Sequence, residues 1–151
     1  MEVERYSPHK HYKLMLEWLT AREHYLPPED EMPTVGFVAH LEGKPVAMGF
    51  IRRVEGSYGQ LDGLVSNPSF PGDLRSQAID IVVENIINKA KLMNLKCLTA
   101  TSLDKNTLER SIKHGFVKLP HTVIAVDLTA GAQILTEREN CSKNNKFKGG
   151  Y

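Results

Sequence analysis

Gln60-Leu61-Asp62-Gly63-Leu64-Val65, then Ser66-Asn67-Pro68-Ser69-Phe70-Pro71-Gly72-Asp73-Leu74-Arg75, then a long apolar-striped segment from Ser76: this run decides the fold. The first six residues read as a short strand and the next ten as a loop. Helical periodicity begins near Ser76, where Ile79, Val82, Val83, Ile86, Ala90 and Met93 recur at the spacing of one buried face. A strand that feeds a helix through a Gly-bearing loop aims the helix's free N–H groups at the space above the strand end, which makes an anion site.

Bulk properties bound what surrounds this run. A chain of 151 residues is one domain's worth and can build a core. It is 41% hydrophobic and 25% charged with a formal net charge of +1, so it lacks the basic excess of a nucleic-acid module. Cys97 sits in an apolar run and reads as a small buried hydrophobe, far from Cys141; a reducing compartment is the simpler reading. No apolar run approaches the ~20 residues of a membrane span, and no signal-peptide pattern opens the chain. A cytoplasmic protein, or one assembled inside a cell, is expected.

Before residue 60 the pattern is strand, helix, loop and hairpin. Residues 2–6 alternate weakly, as a first strand. Ser7-Pro8 begins a helix, Ser7 as N-cap and Pro8 in the first turn. His9 and His11 in that turn read as solvated, because metal ligation there needs i, i+4 partners that are absent. Residues 25–33 carry three prolines and three successive acids, Glu29, Asp30 and Glu31; they form a solvated connector that could border a site for a cationic amine. Val35, Phe37, Ala39 and Leu41 alternate, Glu42-Gly43 turns, and residues 44–54 return, so residues 34–65 form a three-strand antiparallel meander.

After the long helix, residues 95–103 read as a strand, which makes a strand–helix–strand unit with parallel neighbours. Asp104 caps a second helix over residues 105–114, and Gly115 ends it. Residues 116–119 and 122–128 are expected as two last strands. The polar, basic end, with Lys143, Lys146, Phe147, Lys148 and Tyr151, is expected to be disordered alone or to fold onto a partner. The domain is thus expected over residues 1–130, with residues 131–151 as a C-terminal tail.

This order of elements resembles the GNAT superfamily of acetyl-CoA-dependent N-acetyltransferases across residues 3–128. Leu61-Asp62-Gly63-Leu64-Val65-Ser66-Asn67-Pro68 is similar to that family's fourth strand and its exit, and His114-Gly115-Phe116 to its common Gly-Phe. The resemblance implies an α/β fold of the α+β kind, a central mixed sheet of six to seven strands flanked by helices. It also implies acetyl-CoA as cofactor and an amine as acceptor. The family motif Gln/Arg-x-x-Gly-x-Gly/Ala falls on Pro71-Gly72-Asp73-Leu74-Arg75-Ser76. Cofactor binding is then expected at Leu64, Val65, Gly72, Asp73, Leu74, Arg75, Ser76 and Asp104. Pro71 removes a donor, Leu74 adds bulk, and Asp73 puts a negative charge beside a pyrophosphate, partly offset by Arg75. Counting back from Gly115-Phe116 places Asp104 and Ser111 where the family often keeps an Asn and an acidic Tyr, and Asp62, on the fourth strand, could serve as a base that deprotonates the amine.

Two functions follow from the resemblance. One is an N-acyltransferase working by direct attack, with proximity and backbone hydrogen bonds carrying most of the rate. The other is a catalytically inactive GNAT-like fold that binds or builds, similar to small domains encoded by tailed bacteriophages and carried in some virions. In the second case protein partners would dock through the tail or through homo-oligomer contacts. A nucleic-acid module fits the balanced charge poorly. No metal is expected.

Overall fold

A computed structural model describes residues 1–102 and 105–120. They fall into two compact units: residues 1–18 with 27–101, and residues 19–26 with the described part of 102–120. The expected last strand at 122–128, the Asp104 cap and the tail 131–151 lie outside the described residues.

The first unit is a mixed sheet of five strands in the order of the chain. These are β1 (Glu2–Arg5), β2 (Val35–Leu41), β3 (Lys44–Arg53), β4 (Tyr58–Ser66) and β5 (Cys97–Ala100). β1 to β4 run antiparallel, each beside its predecessor; short turns join β2 to β3 and β3 to β4, whereas the helix Pro8–Thr20 lies between β1 and β2. β5 pairs with β4 in parallel and is reached through the long helix α2 (Gly72–Leu92). Five strands are thus described where six to seven are expected. One of the missing ones is a correction: residues 116–119 are irregular rather than a strand.

Alternation along β3 assigns the two faces. A Cβ on Gly49 would meet Val82 and Ile86, so α2 covers that face. The helix buries Ile79, Val82, Val83, Ile86 and Ala90 of the stripe read from the sequence, and Ala78 besides, while Met93, expected in that stripe, stands at the C-cap and is half-buried. Its start is corrected, however: α2 begins at Gly72, not near Ser76, with Pro71 at the N-cap. Phe50 points to the opposite face. There its ring meets Tyr6 edge-on at 4.7 Å, and Tyr6 meets His11 of α1 (Pro8–Thr20) at 5.7 Å.

His11 is the third correction. Its side chain is 3% exposed, not solvated. Nδ1 accepts the Ser7 N–H at 3.0 Å, which satisfies a donor that the helix start leaves without a partner. Nε2 lies 2.9 Å from Glu4 Oε1 on β1.

In the second unit, α3 (Lys105–Lys113) closes on Gly115, whose φ is +86°. The Phe116 N–H bonds to Ser111 O at 3.0 Å and Gly115 N–H to Ile112 O at 3.0 Å, a left-handed helix end.

Candidate functional site

The centre of the first unit is a break in the β3–β4 ladder. Met48 pairs with Val65 and Phe50 with Asp62, so Gly49 alone faces Gly63 and Leu64. Two residues opposite one make a β-bulge, and Gly63, at φ +59°, is its left-handed residue. Neighbouring side chains fill the space around it. The Phe50 ring stands 2.8 Å from where a Gly63 Cβ would be, and Leu64 Cδ1 stands 2.9 Å from a Gly49 Cβ. Leu64 therefore packs on the α2 side. Val65 is buried at 1% exposure.

β4 then parts from β5. Their pairing runs from Tyr58 with Cys97 to Leu61 with Ala100, and stops. Beyond it Asp62–Ser66 has no described strand on its β5 side. The exit from β4 is tightly held. Asn67 N–H donates to Val46 O at 2.7 Å, Asn67 Nδ2 donates to Pro45 O at 3.2 Å, and Oδ1 accepts the Ser69 N–H at 3.0 Å. That Asx turn delivers the chain to Pro71.

At the start of α2 the expected binding residues take helical positions. Arg75 N–H bonds to Pro71 O at 3.0 Å, so Arg75 and Ser76 already belong to the first turn. The amides of Gly72, Asp73 and Leu74 are the ones a helix leaves without an internal partner. Pro71 makes no side-chain cap. Arg75 folds back over this end: its Nη2 lies 3.8 Å from where a Gly72 Cβ would be, and its buried Nε has no hydrogen-bond partner. A helix N-terminus, a guanidinium and an orphaned donor together suit an anion. Asp73, also in the first turn, opposes one.

Asp62 is not a free carboxylate. Arg52 Nε and Nη2 each lie 2.8 Å from its Oδ2, and Oδ1 accepts the Gly63 N–H at 2.9 Å. Arg52 Nη2 also donates to Glu31 O at 2.9 Å, in the short 3-10 turn Glu29–Glu31. Ser111, on α3 in the second unit, donates its hydroxyl to Thr107 O at 2.8 Å. Neither Arg52 nor the bulge entered the sequence reading. The signal that could have found the bulge is a glycine inside a strand pattern.

Glu4, His11 and His40 have the composition of a metal site, with donor atoms within 4.8 Å of one another. Their hydrogen bonds argue otherwise. Because Ser7 N–H occupies His11 Nδ1, the proton of the neutral ring sits on Nε2 and is donated to Glu4. A metal at Nε2 would leave a ring with no N–H facing a backbone donor, the reverse of the usual outer shell. Lys10 Nζ, 3.4 Å from Glu4 Oε2, adds a cation. The cluster is a tie between β1, α1 and β2.

No family model matches the sequence, and no curated protein does. Solved structures match throughout most of the chain. Rv2747 from Mycobacterium tuberculosis, solved in complex with CoA, aligns at TM-score 0.66 and 15% identity over 98% of this chain and 90% of its own. Glucosamine-6-phosphate N-acetyltransferase from Arabidopsis thaliana aligns at 0.60 and 17% over 83% and 97%. The aminoglycoside 6'-N-acetyltransferase AAC(6')-IG from Acinetobacter haemolyticus aligns at 0.58 and 17% over 85% and 99%. The fold of this chain is the fold of the GNAT acetyltransferases.

Proposed function

We propose that this GNAT-fold chain is a divergent N-acyltransferase that takes its acyl group from acetyl-CoA and passes it to an amine. The observation that carries the reading is the seam where β4 leaves β5 after Leu61 and Ala100, which leads to the N-terminus of α2 and Arg75. Acetyl-CoA supplies the thioester whose carbonyl an amine attacks. Along residues 62–65 the edge beyond the end of β5 would offer backbone groups to an extended ligand. The amides of Gly72, Asp73 and Leu74 would hold phosphate oxygens. Arg75 would supply the cation that offsets Asp73 and the missing Pro71 donor. The buried Val65 side chain fixes the strand against β3, so that its contribution to a ligand would come from its backbone. The Leu64 side chain packs toward α2, leaving its backbone for the same role.

A second reading keeps the fold without the transfer. It draws on two observations: Asp62 is engaged by Arg52, and the Ser111 hydroxyl is engaged by its own helix. In that reading the tail meets a protein partner, as in a virion component, and CoA is dispensable. No described helix is long and apolar enough to cross a membrane, which either reading accepts.

A calorimetric and thermal-shift titration with acetyl-CoA tests the proposal. A ligand at 100 times its dissociation constant stabilises the folded state by about 2.7 kcal/mol. An unchanged melting temperature at millimolar acetyl-CoA would overturn the enzyme reading. Binding without acetyl transfer to any of a broad panel of primary amines would favour the second.

A further inference from the structure

We propose that Arg52 is a positioning residue for this site: one guanidinium fixes the β4 bulge, through Asp62, and the 29–31 turn, through the Glu31 carbonyl. The inference rests on the acyltransfer reading for its consequence but not for its geometry. Nε and Nη2 converge on a single oxygen, Oδ2, at 2.8 Å each, and Nη2 reaches Glu31 O at 2.9 Å. The other oxygen, Oδ1, holds the Gly63 N–H at 2.9 Å. The links are continuous: Glu31 carbonyl, Arg52, Asp62, Gly63 amide. They run from a turn that precedes β2 to the one residue of β4 with a left-handed backbone.

Three features favour positioning over simple stabilisation. The Arg52 and Asp62 side chains are 40% and 35% exposed, and ion pairs that wet contribute little to global stability. The guanidinium uses its fork, two donors to one oxygen and a further contact to a carbonyl, which a lysine ammonium on a flexible stem does not reproduce. Asp62 has its oxygens committed to Arg52 and to the Gly63 amide, which is the arrangement of a carboxylate that holds a backbone. Asp62 is accordingly a positioning residue as well, not the base. A developing oxyanion needs donors whose direction is fixed, and a bulge held in place fixes the β4 amides that follow it. The same fork seats the acidic turn on β3, at the edge where an acceptor would enter.

The test compares the full chain with Arg52→Gln, Arg52→Lys and Asp62→Asn. Residue-resolved amide exchange reads the geometry, and CoA release from acetyl-CoA with a panel of primary amines reads turnover. In Arg52→Gln, exchange at Gly63 and at Met32, whose N–H bonds to Glu29 O, is expected to rise about tenfold. Turnover is expected to fall about tenfold with the KM for acetyl-CoA changed less than about threefold. Arg52→Lys should recover only part of either. Asp62→Asn keeps an oxygen for Gly63 N–H, so it should retain measurable turnover. If Arg52→Gln leaves Gly63 exchange unchanged, the proposal is wrong. It is also wrong if Asp62→Asn abolishes turnover while Gly63 exchange stays as in the parent chain, since Asp62 would then be acting as the base. If the parent chain does not bind acetyl-CoA, the transfer reading fails and the exchange results still decide the role of Arg52. Should Arg52→Gln not fold, Arg52→Lys and Asp62→Asn carry the same comparison.

Discussion

The Phe50 ring lies against the backbone of Gly63, so close that a Cβ on Gly63 would meet its Cδ2 at 2.8 Å. Gly63 also has a φ of +59°. Gly63→Ala therefore meets two penalties, a left-handed backbone and an overfilled contact. A loss of about 2–4 kcal/mol in urea unfolding is expected. Gly43→Ala is the control: its φ is +74° but nothing lies within 4 Å. That variant should lose only about 1 kcal/mol.

Gly49→Ala probes the other face. Its Cβ would meet Leu64 at 2.9 Å, Val82 at 3.1 Å and Ile86 at 3.2 Å, three side chains of the packed interface between the sheet and α2. Destabilisation of about 1–3 kcal/mol is expected, and Gly49→Ala with Ile86→Val should recover part of it. An additive double mutant would show that the helix shifts away instead.

His11 ties the start of α1 to β1. His11→Ala removes the acceptor of the Ser7 N–H and a partner of Glu4, and leaves a cavity. Chemical unfolding should show a loss of about 1–3 kcal/mol.

Glu4 gives this tie an acid limit. Partial burial alone would raise its pKa, but the hydrogen bonds from His11 and Lys10 outweigh that and hold it below the ordinary 4.5. The folded carboxylate then releases its proton more readily than the unfolded one. Its contribution is complete above about pH 4.5 and drains as the pH falls through the lower folded value. Glu4→Gln should flatten the stability profile below that pH.

Tyr6 sets a limit at the alkaline end. Burial, then the negative charge of Glu29, pushes its phenol up to about 12 from 10.0. The folded state keeps this proton where the unfolded state has lost it. Stability should decline between pH 10 and 12, and Tyr6→Phe should abolish that slope. Absorbance at the phenolate band follows the titration directly.

Arg75→Gln tests the donor end of the site. If acetyl-CoA sits at the α2 N-terminus, losing the guanidinium should weaken binding about tenfold or more, and the salt dependence of binding should shrink. Leu74→Ala is the better probe of bulk there than a glycine, because residue 74 belongs to a helical turn where glycine alone costs about 1 kcal/mol.

Local pattern was enough for the meander, the hairpin at Glu42-Gly43 and the buried stripe from Ala78 to Ala90, because each is a short-range signal. The helix start was not legible. Pro71, Gly72 and Asp73 are turn formers, and nothing in their order says that Pro71 caps a helix rather than ending a loop. His11 was misplaced for a different reason. Its partners Glu4 and His40 stand on strands seven residues before it and far after it, so the burial exists only once the sheet has formed. The Arg52–Asp62 contact depends on the register after the bulge. A break between Met48 and Phe50 decides which β4 residue each β3 side chain meets.

The parallel contact between β4 and β5 has a consequence for how the molecule assembles. β2 to β4 can zip through neighbouring turns, but β5 can dock only after the 21 residues of α2 are laid across the sheet. That contact closes a long loop of the first unit and, like the β1–β2 pairing, joins four residues on each side. It should form after the hairpins in refolding and open under mild denaturant as a local event below the global transition. The candidate site lies along this seam, so a ligand lodged there would act as a clasp on an edge of the fold held by few backbone pairs.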